Sequence, residues 1–203
     1  MTKNAQLFAP SAARNRDPIL AVLKRVLPPR GLVLEIASGS GEHVMHFAAA
    51  SGPDLIFQPS DPDARARASI DAWAHALGLR NIRPAIALDA ASRDWPITAA
   101  DAVLCINMIH IAPWAAAVGL FEQAASVLKF GSVLYLYGPY RSQGRDTSAS
   151  NAAFDADLRR QNTSWGVRDL EAVTALAKEN GFAPPEMIGM PANNLSLVFR
   201  KAA

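Results

Sequence analysis

One stretch limits what this chain can fold into more than any other: Val33-Leu34-Glu35-Ile36-Ala37-Ser38-Gly39-Ser40-Gly41-Glu42-His43. Leu32 to Ile36 is an apolar run of strand length that carries one carboxylate near its end. Gly39 and Gly41 have no Cβ, so the backbone can turn sharply and a ligand can come close. The helix that should follow opens with free N–H groups and a positive dipole end. In a doubly wound sheet, the crevice at the carboxyl end of the first strand is where nucleotide-like ligands sit.

The 203 residues fit one α/β domain spanning 1–203, and a half-hydrophobic composition suffices for helices on both faces of a sheet. The formal net charge is only +2 and the Lys and Arg residues are scattered, so no nucleic-acid footprint is indicated. A single cysteine excludes an internal disulfide and a Cys-rich metal site. His43, His46 and His75 fall on expected helices without forming a convincing metal set. No run approaches the ~20 apolar residues of a membrane span, and the N-terminus lacks the apolar core of a secretory signal. A soluble cytoplasmic protein is the expectation. Oligomeric state is not readable from the sequence.

The segment up to Pro10 reads as a loose terminus, and an N-terminal helix is expected over about 11–28. Asp17-Pro18 is a helix-start pair, and Pro28-Pro29 a stop. Arg14, Asn15 and Arg16 form either a solvated pre-helix turn, a lid over a ligand pocket or a clamp on an anionic group. Leu55–Pro59 is a second strand running into Asp61, 20 residues beyond Gly41, where an acid can accept from ribose hydroxyls. The competing role is an N-cap for the next helix, and Asp61 and Asp63 can divide the two jobs. A helix over Ala64–Leu77 leads to a third strand, Ile82–Leu88, ending at Asp89-Ala90, where a carboxylate can take the amino group of adenine or merely end a strand.

Ala102–Ile106 is a fourth, fully apolar strand, which makes Cys105 a buried structural thiol. It ends in Asn107-Met108-Ile109-His110-Ile111-Ala112-Pro113-Trp114, a second informative stretch. Asn107 sits where it can hold backbone or ligand groups. His110 is a candidate general base, since its ordinary pKa is near neutral; the alternative is a histidine packed beside Trp114. After a helix over Pro113–Leu128, a fifth strand, Ser132–Gly138, runs into Pro139-Tyr140-Arg141. Ser142–Asn151 reads as a mobile loop or lid, followed by a short helix from Phe154 to Arg160. Tyr137, Tyr140, Arg141, Asn151 and Asp155, with Arg14 and Asn15, are candidates for lining a substrate pocket. A helix over Leu170–Asn180 precedes two strands joined by Pro191-Ala192-Asn193-Asn194, a tight hairpin.

The glycine turn lacks the third glycine of the dinucleotide fingerprint, having Glu42, His43 and Val44 after Gly41. It resembles instead the acid-x-G-x-G-x-G pattern of class I S-adenosylmethionine-dependent methyltransferases, with Ala37 in place of the first glycine. The stretches Ser11–Leu20, Glu35–Phe47, Gln58–Asp61, Asn107–Trp114, Tyr137–Tyr140, Asn151–Asp155, Trp165–Glu171 and Pro191–Phe199 together resemble the methyltransferase-like 26 type family. The resemblance implies an α/β, Rossmann-like doubly wound sheet of seven strands, mainly parallel, with a C-terminal antiparallel hairpin. It also implies S-adenosylmethionine as cofactor, with Glu35, Ala37, Ser38, Gly39 and Gly41 facing its methionine part. Asp61 would then hold its ribose, Asp89 and Ala90 lie near its adenine, and Asn107 close the site towards the acceptor. The expected activity is methyl transfer to a small-molecule oxygen or nitrogen acceptor. A non-catalytic S-adenosylmethionine-binding module and an NAD-dependent oxidoreductase are the alternatives, and dehydrogenases of the dinucleotide class lack the terminal hairpin.

Overall fold

A computed structural model describes residues 5–203. Its centre is one sheet in the order β2-β1-β3-β4-β8-β7. Strands β1 (Gly31–Ile36), β2 (Leu55–Pro59), β3 (Ala100–Ile106) and the first part of β4 (Leu128–Ser142) run parallel. β7 (Glu186–Met190) and β8 (Asn194–Arg200) close the sheet as an antiparallel hairpin against β4. The far end of β4 also pairs with two short strands, β5 (Arg145–Asp146) and β6 (Arg168–Asp169). The sheet thus has eight strands where seven are expected.

The helices divide between the faces because strand side chains alternate. Val33, Ala102, Leu104, Val133 and Tyr135 pack under α1 (Pro10–Val26), α2 (Glu42–Ala49) and α3 (Ala64–Leu77). Their strand neighbours Leu34, Val103, Cys105, Leu134 and Leu136 pack under α4 (Trp114–Val127) and α6 (Leu170–Glu179). The remaining helix, α5 (Ala149–Gln161), lies beyond the carboxyl end of β4. Cys105 is buried and its thiol is pushed up to about 12 by burial, consistent with a structural role.

Three expectations need correction. The strand over Ile82–Leu88 is reduced to two isolated bridges, Phe57 with Ile82 and Ser60 with Ile86. Pro84 interrupts it, since proline has no N–H for a ladder; the Gln58 amide donates to the Pro84 carbonyl at 2.8 Å. The first helix, Pro10–Val26, matches the expected span of about 11–28, so Asp17-Pro18 is not its start and Pro18 lies inside it. A proline inside a helix costs ~3 kcal/mol, and here the buried face of Ile19, Val22, Leu23 and Val26 against α2 opposes that cost. The expected loose loop Ser142–Asn151 is a built hairpin: Arg145 and Asp146 pair with β4, and the Ser148 side chain caps α5 by accepting from the Asn151 N–H.

Candidate functional site

At the carboxyl end of β1 the backbone leaves the sheet through a turn that the sequence specifies locally. Ala37 and Gly39 are left-handed, at φ 54° and 56°, and Gly41 lies at φ 91°. Alanine pays roughly 1–2 kcal/mol for that conformation, so the missing first glycine is accommodated at a modest cost. At Gly41 a side chain would also press on the Ile70 backbone, 3.1 Å from an added Cβ. Around Gly39 an added Cβ meets nothing within 4 Å, so the space beside the turn is open. Ser40 donates to the Glu42 carboxylate at 3.0 Å, and Ser69 donates to the Ser40 carbonyl at 2.8 Å.

Glu35 lies under this turn, 2 % exposed, with Oε2 unpartnered. Burial raises its pKa to about 7; Ser38 hydrogen bonding opposes the rise and the Asp61 charge adds to it. A buried carboxylate oxygen without a donor is costly unless something supplies one. Asp61 braces the turn: Oδ2 accepts from the Gly39 N–H at 3.0 Å and Oδ1 from the Asp63 N–H at 2.9 Å. Asp63 caps α3 by accepting from the Arg65 N–H, the capping role expected within this pair. Asp89 is exposed, and its Oδ1 closes its own turn onto the Ala91 N–H. Ala90 is buried; its carbonyl presses on Gly119 of α4 so closely that a Cβ there would collide. Gly119 is a spacing requirement that only the fold reveals.

Beyond β3 and β4 lies a cavity of about 590 Å³. The first turns of α1 supply Ser11, Arg14 and Asn15. The loop after β3 supplies Asn107, at φ 62°, and Ile111. Tyr137 and Pro139 come from β4, and Ser150, Asn151 and Phe154 from α5. Pro191, Ala192 and Asn194 of the β7–β8 turn close the ring. Four of the expected substrate residues, Arg14, Asn15, Tyr137 and Asn151, therefore meet at one cavity, and Asn107 joins them. Asn15 Oδ1 lies 2.7 Å from His43 Nε2, and burial, followed by His46 and Arg16, holds His43 down at about 4, so its ring is neutral near pH 7. Burial raises the Tyr137 phenol, opposed by its hydrogen bond with Asn15. Asn151 spends both amide hydrogens on Thr147 Oγ1 and the Asn193 carbonyl, at 2.8 and 3.0 Å, and so ties α5 to the hairpin turn.

His110, Tyr140 and Asp155 do not line this cavity. His110 is 0 % exposed. Its Nδ1 accepts from the Arg168 N–H at 3.3 Å, which leaves the ring proton on Nε2, and burial together with Arg168 pushes its pKa down to about 3. The Nδ1 lone pair is taken by the Arg168 N–H and the buried ring does not reach the cavity, so the base expected at His110 is not supplied there. Nε2 faces Gly138, where a Cβ would collide with the ring. Tyr140 is buried edge-on to His110 at 5.1 Å between ring centres, so it belongs to the core rather than to a substrate wall. Asp155 is a structural buckle: Oδ2 accepts from Arg159 at 2.6 Å and Oδ1 from the Val167 N–H at 2.7 Å. Burial raises its pKa, but these two partners outweigh that and hold it below the ordinary carboxylate value. Arg141 pairs with Asp146 within the β4–β5 hairpin.

Arg168, which the sequence did not single out, organises this region. Its guanidinium donates to the carbonyls of Ile109, Ala112 and Ser164 and lies 5.7 Å from the centre of the Trp114 ring. It fixes the loop that carries Asn107 and Ile111. Among the described residues no three His, Cys, Asp or Glu side chains form a metal-binding group, and no helix is long and apolar enough to cross a membrane.

The family described as "Protein of unknown function (DUF938)" matches residues 6–201. Among solved structures, an O-methyltransferase family protein from Burkholderia thailandensis superposes with a TM-score of 0.81 at 18% identity, over 95% of this chain and 58% of that one. Human N-acetylserotonin methyltransferase, solved in complex with SAM, gives 0.77 at 14% identity, over 95% and 53%. An O-methyltransferase family 2 protein from Planctomyces limnophilus, in complex with apigenin, gives 0.78 at 19%, over 95% and 60%. This chain thus has the Rossmann-like fold of these proteins and spans little more than half of their length.

Proposed function

The chain belongs to the DUF938 family, and we propose that it transfers a methyl group from S-adenosylmethionine to a small-molecule oxygen or nitrogen acceptor. The observation that carries this reading is the unpartnered, buried Glu35 oxygen at the end of β1, four residues before the open turn at Gly39. A ligand bearing ammonium and sulfonium charge fits that carboxylate, and its approach would pull the Glu35 pKa down from about 7. The backbone from Ala37 to Gly41, including Ser38, would hold the methionine part. The lone pairs left on Asp61 would take ribose hydroxyls, and Asp89 with Ala90 would border the adenine. The methyltransferase-like 26 resemblance and methyltransferase folds solved with SAM and with apigenin support the same reading, for which a cytoplasmic setting is the natural one.

When bound, S-adenosylmethionine would supply the methyl group on its sulfonium sulfur, with S-adenosylhomocysteine as the other product. The protein's share is then positioning, with Asn107 between the two halves of the site. Among the described residues the titratable side chains lining the cavity are Arg14 and Tyr137, so the acceptor proton passes to water rather than to a dedicated base. The N-terminal helix, with Arg14 and Asn15, serves as the lid. The buried His110 equally favours a second reading, a binding module that holds the cofactor without turnover.

Calorimetric titration with S-adenosylhomocysteine, beside NAD and NADH, tests the cofactor. Binding of the first alone is expected; binding of the nicotinamides instead would overturn the proposal. Tritium release from labelled S-adenosylmethionine into a small-molecule extract then separates enzyme from module.

A further inference from the structure

The acceptor cavity has a charge character of its own. Among the described residues no Asp or Glu lines it, and the one charged group in its lining is Arg14. Among the described residues no carboxylate forms an ion pair with Arg14. A second feature points the same way. Ser150 and Asn151, in the first turn of the 13-residue α5, face the cavity, so the positive end of that helix borders it. The lining also includes the aromatic rings of Tyr137 and Phe154 and apolar Ile111 and Pro139. A slot with a free guanidinium, a helix N-terminus, aromatic walls and no competing anion selects a planar ligand carrying a negative group.

We infer that the cavity takes a small planar acid, an aromatic or conjugated carboxylate, with Arg14 as the residue that discriminates the anion from its neutral analogue. The inference rests on the methyltransferase reading only in calling this molecule the acceptor; the anion site itself is independent of it. A cavity of about 590 Å³ has room for one or two rings beside the cofactor, not for a peptide or a nucleic-acid strand.

The test titrates the protein, first alone and then saturated with S-adenosylhomocysteine, with hydroxybenzoates, dihydroxybenzoates and hydroxycinnamates, each beside its primary amide. The expected result is that the acids bind about tenfold more tightly than their amides, as a charge-assisted contact to a partly solvated guanidinium allows. Arg14→Gln should erase that preference, and Arg14→Lys should restore part of it. Raised ionic strength should shrink the preference in the wild type alone. Equal binding of acids and amides, a preference that survives Arg14→Gln, or no binding of any acid would overturn the inference. If S-adenosylhomocysteine does not bind while the Arg14-dependent preference persists, the cofactor reading fails and the anion site stands.

Discussion

The two halves of the candidate site are built in opposite ways. The cofactor half is contiguous: Glu35 to Gly41 is seven residues of chain, and its shape follows from left-handed backbone at Ala37, Gly39 and Gly41. The acceptor half draws on α1, the loop after β3, the end of β4, the first turn of α5 and the β7–β8 turn. One half keeps a buried carboxylate with an unused oxygen; the other is a shell of amides, aromatics and one arginine. The difference teaches where binding energy is held in reserve. Glu35 keeps an unused oxygen that, in the proposed reading, a cationic ligand would complete, whereas the wall of the cavity is already internally tied, through Asn151 to the hairpin and Arg168 to the β3 loop.

The largest expected effect breaks the acceptor half from behind. Gly138→Val places a branched side chain where the His110 ring stands, and the rearrangement of a packed core should cost about 3–5 kcal/mol. Urea denaturation should show it, with S-adenosylhomocysteine binding retained by whatever fraction stays folded.

Arg168→Ala comes next. It frees three carbonyls and uncovers Trp114, at a cost of about 2–4 kcal/mol by the same measurement, and it should raise acceptor KM far more than it weakens S-adenosylhomocysteine binding. Equal damage to both ligands would dissolve the distinction between the halves.

Glu35→Gln sharpens the comparison from the other side. The folded pKa near 7 lies above the 4.5 of the free side chain, so burial of Glu35 is harmless to stability below about pH 4.5 and increasingly costly as pH rises through 7. The variant should be more stable than wild type at pH 8, by up to about 3 kcal/mol, with the gap closing towards pH 5. No change in stability between those pH values would remove the buried carboxylate from the account.

His110 titrates in the opposite sense. With a folded pKa held near 3, its neutral ring contributes fully above its free value of 6.5, and that contribution is lost as pH falls below it. Turnover, once an acceptor is found, should show no ionisation near 6.5 attributable to His110, and a bell-shaped profile abolished by His110→Gln would restore the base. The smallest expected effect is Asn151→Ala, about 1–2 kcal/mol from the lost ties to Thr147 and Asn193, with acceptor selectivity loosened.

What the sequence disclosed follows the same division. The glycine turn, the Asp61 and Asp63 pair, the terminal hairpin and the apolar β3 were legible because each is a local pattern of period, cap or turn. Arg14, Asn15, Tyr137 and Asn151 were found as polar residues near strand and helix ends, but nothing in the sequence said that they share a cavity. His110 escaped the sequence because a polar residue past a strand end can turn back into the core if a partner waits there, and Arg168 and Gly138 lie far away in sequence; Tyr140 follows it into the core from β4, and Asp155 on α5 is taken by Arg159 and the Val167 N–H. Pro84 was visible, yet its effect on the expected third strand depended on the side-chain bond from Gln58 that holds the broken edge. Gly119 and Gly138 matter only through what they touch.

The most direct test of the central claim is the affinity for S-adenosylhomocysteine measured by calorimetry from pH 6 to 8.5, for wild type and Glu35→Gln. Its ammonium group alone suffices to complete the Glu35 carboxylate. The account predicts that wild-type affinity rises with pH up to about 7 and then levels, with proton release on binding below that point, and that Glu35→Gln binds at least about tenfold more weakly at pH 8 with a flat profile. Tight, pH-independent binding that Glu35→Gln leaves untouched would contradict it.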